Sequence, residues 1–229
     1  MQPTLNARRS RRDAVVTLLA LALLLAWDAS GLDLATARLF GSASGFAWRD
    51  SWWASTLLHD GGRIAAWLVL AAVMATALDR APAGTPSRLR RWHWVGVMLL
   101  CVLLVPALKR VSLTSCPYEL AEFGGFAHHL SHWRWGAADG GPGHCFPSGH
   151  AVSAFAFFGL YFLWRDHDPR RAGLLLASVI GAGLLLGGAQ LARGAHYPSH
   201  TMWTAWLCWA VCVAAYHALA RSGRTSTAA

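Results

Sequence analysis

Apolar residues run through this chain in long unbroken blocks, with neither the alternation of a half-buried strand nor a single helical stripe. A bilayer core about 30 Å thick asks for roughly 20 residues of helix, fewer where flanking side chains snorkel or the membrane thins. Six blocks qualify: 14–27, 62–78, 93–108, 148–164, 172–191 and 201–219. The pattern predicts an all-α integral membrane protein, a six-helix bundle with two longer loops, 28–61 and 109–147, on one side. The first block follows Arg8, Arg9, Arg11 and Arg12, as in a signal peptide. It ends without a small-x-small cleavage site and therefore reads as a retained helix. In the first long loop, SWWASTLLHDGG (51–62) reads as an amphipathic helix in the membrane interface.

Composition agrees: 55% of the 229 residues are hydrophobic and 14% charged. Charge adds an orientation. With the N-terminus in the cytoplasm, 13 of the 20 basic residues fall in the inner segments 1–13, 79–92, 165–171 and 220–229. That is the positive-inside bias, for six crossings with both ends cytoplasmic. The chain divides into a basic cytoplasmic N-terminus (1–13), one membrane domain (14–219) and a cytoplasmic tail (220–229). The net charge of +9 then reads as topology plus affinity for anionic headgroups. No basic stripe interleaved with aromatics points to nucleic acid, and the 13 tryptophans fall mostly near block ends, as in interfacial belts.

Three polar groups remain, all on the outer side. Lys109, the only lysine, stands where the third block leaves the membrane, a place that also suits a snorkelling anchor. His150 follows Ser148 and Gly149 at the mouth of the fourth block, where free backbone amides and the helix dipole favour an anion; a plain Ser148 cap fits the same residues. QLARGAHYPSH (190–200) brings Arg193, His196 and His200 to the junction of the fifth and sixth blocks. A phosphate ester needs fixed cations and amides around its oxygens, an in-line nucleophile and an acid for the leaving group. Histidine can serve in both reactive roles.

In these residues the chain resembles the type 2 phosphatidic acid phosphatases, integral membrane lipid phosphatases. The family pattern is Lys, six residues, Arg-Pro; then Pro-Ser-Gly-His; then Ser-Arg, five residues, His, three residues, Asp. Lys109 through Cys116-Pro117 matches the first element with Cys for Arg, and Pro147-Ser148-Gly149-His150 matches the second in full. The third reads Ala189-Gln190, five residues, His196, three residues, His200. The resemblance covers about residues 60–219. It implies His196 as nucleophile through a phosphohistidine, His150 as general acid, His200 as the third catalytic position, and Lys109, Ser148 and Gly149 as phosphate ligands. Arg193, one helical turn from the nucleophile, takes over part of the charge lost at Cys116 and Gln190.

His200 can orient the nucleophile's ring but brings no negative charge. A carboxylate arrives from elsewhere, with Asp60, Glu119, Glu122 and Asp139 as outer-side candidates, or the enzyme is slower. The implied function is hydrolysis of lipid phosphomonoesters or pyrophosphates (phosphatidate, phosphatidylglycerol phosphate, polyprenyl pyrophosphate or lipid A) at the periplasmic face of a bacterial inner membrane, without a metal or other cofactor. The alternatives are transfer of the phosphoryl group to another lipid, and a catalytically degenerate protein that binds anionic lipids. His128, His129, His132 and His144 share one loop but form no metal-site motif. Cys101, Cys208 and Cys212 read as small core residues. Cys116 and Cys145 adjoin motifs that must converge; in an oxidising compartment they can form a bridge, and otherwise they are two shielded thiols.

Overall fold

A computed structural model describes residues 2–81, 83–134 and 136–225; Met1 and residues 226–229 of the expected termini lie outside the described residues. Its helices are α1 (Gln2–Ser30), α2 (Leu32–Ala37), α3 (Gly62–Leu78), α4 (Arg88–Arg110), α5 (Val152–Phe155), α6 (Phe158–Trp164), α7 (Pro169–Ala192) and α8 (Pro198–Thr225). Strand is limited, among the described residues, to a hairpin pairing Gly41–Ser42 with Gly45–Phe46. Five helices are long and apolar enough to cross a membrane, and the stretch Val152–Trp164 is apolar but shorter. The chain is a helical, multi-pass membrane protein.

Local chemistry sets the ends. Ser51 and Ser87 accept amide hydrogens from Ala54 and Arg90, and Asp168 accepts from Arg171 with Pro169 in the first helical position. Two elements differ from the sequence expectation. The segment 51–62 is not a separate interfacial helix: Trp52–Gly61 is wound as a π-helix and runs directly into α3, so Trp52–Leu78 forms one 27-residue apolar helix. The block 148–164 is broken, and His150 lies in a turn before α5 rather than two residues inside a helix.

α1 packs on α8, α3 on α4, and α6 on α7, with α4 and α8 also meeting α6. The core is aromatic. Trp94 stacks on Phe162 at 5.5 Å, and Phe155, Phe158 and Trp209 continue the cluster. Cys101, Cys208 and Cys212 are free and buried there. Gly183 makes one contact possible: a Cβ on it would lie 2.2 Å from the Phe155 ring, so α5 reaches α7 only across a bare backbone. Leu18, Leu68, Leu103, Leu174 and Leu184 point outward, as lipid-facing residues do. A smaller cluster of Phe46, Leu120, Phe123, Ala127 and Tyr197 roofs the end of the bundle that carries His196.

At the opposite end a knot of charge joins four helices. Arg165 donates to both oxygens of Asp13 at 3.2 and 2.8 Å, His217 meets Asp13 at 3.0 Å, and the guanidinium lies 3.8 Å from the Tyr216 ring centroid. Asp166 pairs with Arg9 and Arg90 and accepts from the Tyr216 hydroxyl. Asp13 and Arg165 are both buried, so removing one strands the other's charge in a low-dielectric site. Asp13→Ala should cost about 3–5 kcal/mol in denaturant unfolding of detergent-solubilised protein, and adding Arg165→Met should return part of it.

Candidate functional site

Three segments distant in sequence meet at the roofed end, and each is held by bonds that can be named. Past α4, the Ser112 and Thr114 carbonyls accept from the amides of His144 and Cys145 at 2.8 and 2.9 Å. Cys116 and Cys145 form a disulfide with their Cα atoms 5.2 Å apart. The loop between them is organised by buried Asp139, which accepts from the Ser115 amide and hydroxyl at 2.6 and 2.8 Å and from the Gly141 amide at 2.9 Å. Glu119 accepts the Cys116 amide, and the Tyr118 amide reaches the Gly194 carbonyl at 2.9 Å.

The Pro147-Ser148-Gly149-His150 turn is fixed from α8. The Ser148 amide donates to the His200 carbonyl at 3.1 Å, and the Thr204 hydroxyl donates to the Ser148 carbonyl at 2.9 Å. The Ser148 hydroxyl oxygen accepts the Ala151 amide. The Ser148 amide is therefore committed, contrary to the expectation of a free helix-start donor. The amides of Gly149 and His150 have no acceptor among the described residues. Lys109 lies over Gly149: its Cδ and Nζ would be 3.4 and 3.8 Å from a Cβ placed there.

The third segment turns at Gly194, whose φ of 69° is the left-handed conformation glycine adopts without strain. The Gln190 carbonyl accepts from the Ala195 and His196 amides, and α8 starts at Pro198. Asp33 of α2 secures that start by accepting the amide and hydroxyl of Ser199. His196 and His200 then face each other with their Nδ1 atoms 3.4 Å apart, and the Cys145 carbonyl is a shared acceptor beside both rings.

Burial pushes the His196 pKa well below the ordinary histidine value, and His200, Lys109 and His150 lower it further. His150 falls to about 4, first through burial and then through His59. His59 comes from the π-helical stretch, stacks on His150 at 4.6 Å, and has its Nδ1 2.9 Å from Asp60. The Leu58 carbonyl bonds the His150 ring, while the buried His150 Nε2 has no protein partner. With no phosphate beside them both imidazoles are uncharged at neutral pH; the negative charge of a bound phosphate would raise His150 and let it carry a proton.

The other expected residues fall out as follows. Arg193 donates from Nε to the Arg49 carbonyl at 2.9 Å and lies 3.5 Å from Gln190 Oε1. Gln190, where the family has arginine, is buried with an unpartnered Nε2, so the position still offers a hydrogen-bond donor. The four expected carboxylates are engaged elsewhere: Asp60 with His59, Glu119 with Cys116, Glu122 with Arg38, and Asp139 with Ser115. Asp28, Asp33, His59 and Gln190 were not singled out as contributors, because each acts through contacts that local sequence does not display.

Metal ligation has one geometric candidate among the described residues. The Cys145 sulfur and a nitrogen each of His196 and His200 lie within 4.8 Å of one another. The sulfur is committed to the disulfide, which leaves two imidazole nitrogens and no thiolate. The loop histidines disperse: His132 stacks on Phe146 at 4.1 Å and bonds Asp28, while His129 packs on Tyr197.

A family model described as the PAP2 superfamily matches residues 91–224, more than half of the chain. The comparisons with curated proteins and with solved structures found no match.

The bridge spans 29 residues, so its loss in Cys116→Ser should cost roughly 3–4 kcal/mol on the chain-entropy account, read as a lower unfolding midpoint in detergent. Acid should also destabilise the fold. Between the unfolded histidine value near 6.5 and the folded His150 value of about 4, the unfolded chain binds more protons, so stability falls as pH falls through that window. A His150→Asn variant should lose less stability between about pH 7 and about pH 4.5 than the parent.

Proposed function

Because the chain belongs to the PAP2 superfamily, a family of phosphatase-type hydrolases, we propose that it hydrolyses lipid phosphates at the outer face of a bacterial inner membrane through a phosphohistidine. The observation that carries this reading is the cradle itself: Lys109 over the Gly149 backbone, two free amides, and His150 and His196 brought in from separate segments. With Nδ1 of His196 turned to His200, its Nε2 is the attacking nitrogen. Nε2 forms the bond to phosphorus as the ester or anhydride oxygen leaves, and protonated His150 gives that oxygen its proton. Water then attacks phosphorus, His150 takes the water's proton, and the phosphorus–nitrogen bond breaks. Lys109, Arg193, the Gln190 side-chain amide, the Ser148 hydroxyl and the backbone amides of Gly149 and His150 hold the equatorial oxygens, and their donors gain strength as charge develops in the low-dielectric site.

Two apolar spaces support a lipid as the leaving group. One of about 600 Å³ is lined by Leu108, Val111, Trp133, Pro147 and Trp203, and one of about 200 Å³ by Trp67, Val102, Pro106 and Gly149 with Arg63 at its rim. Each borders the Pro147–His150 turn, so a hydrocarbon tail can lie along the helices while its phosphate reaches the cradle. The basic bias of the inner segments supports the outer placement, and a disulfide fits the oxidising periplasm.

Phosphate release by purified protein from phosphatidate, phosphatidylglycerol phosphate, undecaprenyl pyrophosphate and lipid A, each with and without EDTA, tests the reading. Release from at least one, insensitive to EDTA, is expected; no release with retained headgroup binding leaves a lipid-binding relative, and phosphoryl appearing on added lipid alcohol identifies a transferase. His196→Ala should abolish turnover while keeping most headgroup affinity, because the cationic cradle remains. Arg193→Ala should lose about 10²-fold in kcat/KM, with partial rescue by Gln190→Arg; a near-neutral effect would leave Arg193 as an interfacial anchor.

A further inference from the structure

Attack by His196 leaves positive charge on its ring, and the ring's partner is another neutral imidazole. Among the described residues of the matched segment 91–224, the carboxylates near the motifs, Glu119, Glu122 and Asp139, are bonded to Cys116, Arg38 and Ser115 instead. One buried carboxylate does approach from outside that segment. Asp28, in the last turn of α1, has a side chain 3% exposed. Its Oδ2 accepts from Trp203 Nε1 at 2.9 Å, Trp133 Nε1 at 3.0 Å and His132 Nε2 at 3.2 Å. Its Oδ1 is buried with no protein partner.

Two more orphaned polar atoms belong to the same place. His200 Nε2 and Tyr197 Oη are also buried without partners, and Asp28, His132, Tyr197 and His200 line one cavity of about 40 Å³. A water needs roughly 10–15 Å³ measured in this way and two to four polar partners. Three buried polar groups around a space of this size meet both conditions, and a water there would give each of them a partner.

We infer that Asp28 is the carboxylate of this site: a water in the cavity accepts the His200 Nε2 hydrogen and donates to Asp28 Oδ1, so that His200 can hold positive charge on behalf of His196. The inference rests on the phosphohistidine reading above and deepens it. In the resting pair His196 carries its proton on Nδ1, shared between the Cys145 carbonyl and His200 Nδ1, which leaves the His196 Nε2 lone pair to attack; the same carbonyl can accept from His200 Nδ1 once the proton has moved. As that nitrogen bonds phosphorus and the leaving oxygen takes the His150 proton, the Nδ1 proton passes from His196 to His200. The phosphohistidine is then neutral and His200 is an imidazolium facing Asp28 across the water. Hydrolysis returns the proton from His200 to His196 as the phosphorus–nitrogen bond breaks. Burial first, and then His132, Lys109 and His129, oppose a charge on His200, and the Cys145 carbonyl beside it favours one; the inferred water adds Asp28 to the favourable side, while both Asp33 oxygens already hold Ser199. Asp28 and His200 are thus positioning residues, acting through His196.

The test uses full-length protein in detergent, following phosphate release and alkali-quenched phosphohistidine from a short-chain phosphatidate. His200→Gln can accept the His196 hydrogen bond but cannot take the proton, and it should slow phosphoenzyme formation by about 10²-fold. Asp28→Asn keeps an oxygen for its three donors and should lose about 10-fold in kcat. His200→Asp places a carboxylate directly on His196, and in that background the loss from Asp28→Asn should shrink at least about threefold. Wild-type rates in His200→Gln, or an Asp28→Asn loss that is absent or equally large in the His200→Asp background, overturns the relay while the phosphatase reading stands. Absence of wild-type turnover on every lipid phosphate overturns the parent reading and the relay with it.

Discussion

The hydrogen bond from the Ser148 amide to the His200 carbonyl is the joint on which the site depends. It ties the turn carrying His150 to the helix carrying His200, and the Thr204 hydroxyl doubles it by donating to the Ser148 carbonyl. These groups are buried, so the joint is shielded from water and costly to leave unmade. The disulfide brings the Lys109 end of α4 to the same turn, and the Tyr118 bond to Gly194 closes the circuit with the third segment. A phosphate cradle tolerates displacements of only fractions of an ångström, and four short connections set this one.

The family-matched segment does not complete the site by itself. Asp33 fixes Ser199 at the first turn of α8, and Asp28 gathers Trp133, Trp203 and His132 on one oxygen. His59 covers one face of His150 from the π-helical stretch, with Asp60 bonded behind it. Each belongs to residues 28–60, before the match begins. At Cys116, Gln190 and His200, where the chain departs from the family pattern, it places a disulfide, a buried amide with an unpartnered Nε2 and an imidazole facing His196.

What could be read in the sequence follows from which forces are local. The block 62–78 coincides with α3 because its apolar run is unbroken up to Asp79; what the block did not show is that the helix continues backwards through Gly61-Gly62 to Trp52. The fourth block misled because the bonds that hold Ser148 come from α8, more than fifty residues away, and a turn made by tertiary contacts looks like a helix start when seen alone. The motif histidines and Lys109 were legible from spacing, since their geometry rides on helix ends. The carboxylate partner was not. The acidic residues in the loops nearest the motifs cap loop amides or pair with neighbouring side chains, whereas Asp28 reaches His132 and Trp203 only because α1 packs along α8.

The bridge from Cys116 to Cys145 also makes the chain between them a closed ring whose two feet stand on the same turn. Lys109, in the last turn of α4, and His150, in the turn fixed from α8, sit outside the ring, while Leu130–Arg134 inside it line the larger apolar space. Residues can be added to or removed from the ring's far arc without changing the distance between its feet. The fold thereby separates a part that can drift from a part that cannot: changes in the ring would reshape the apolar space while the residues beneath keep their register.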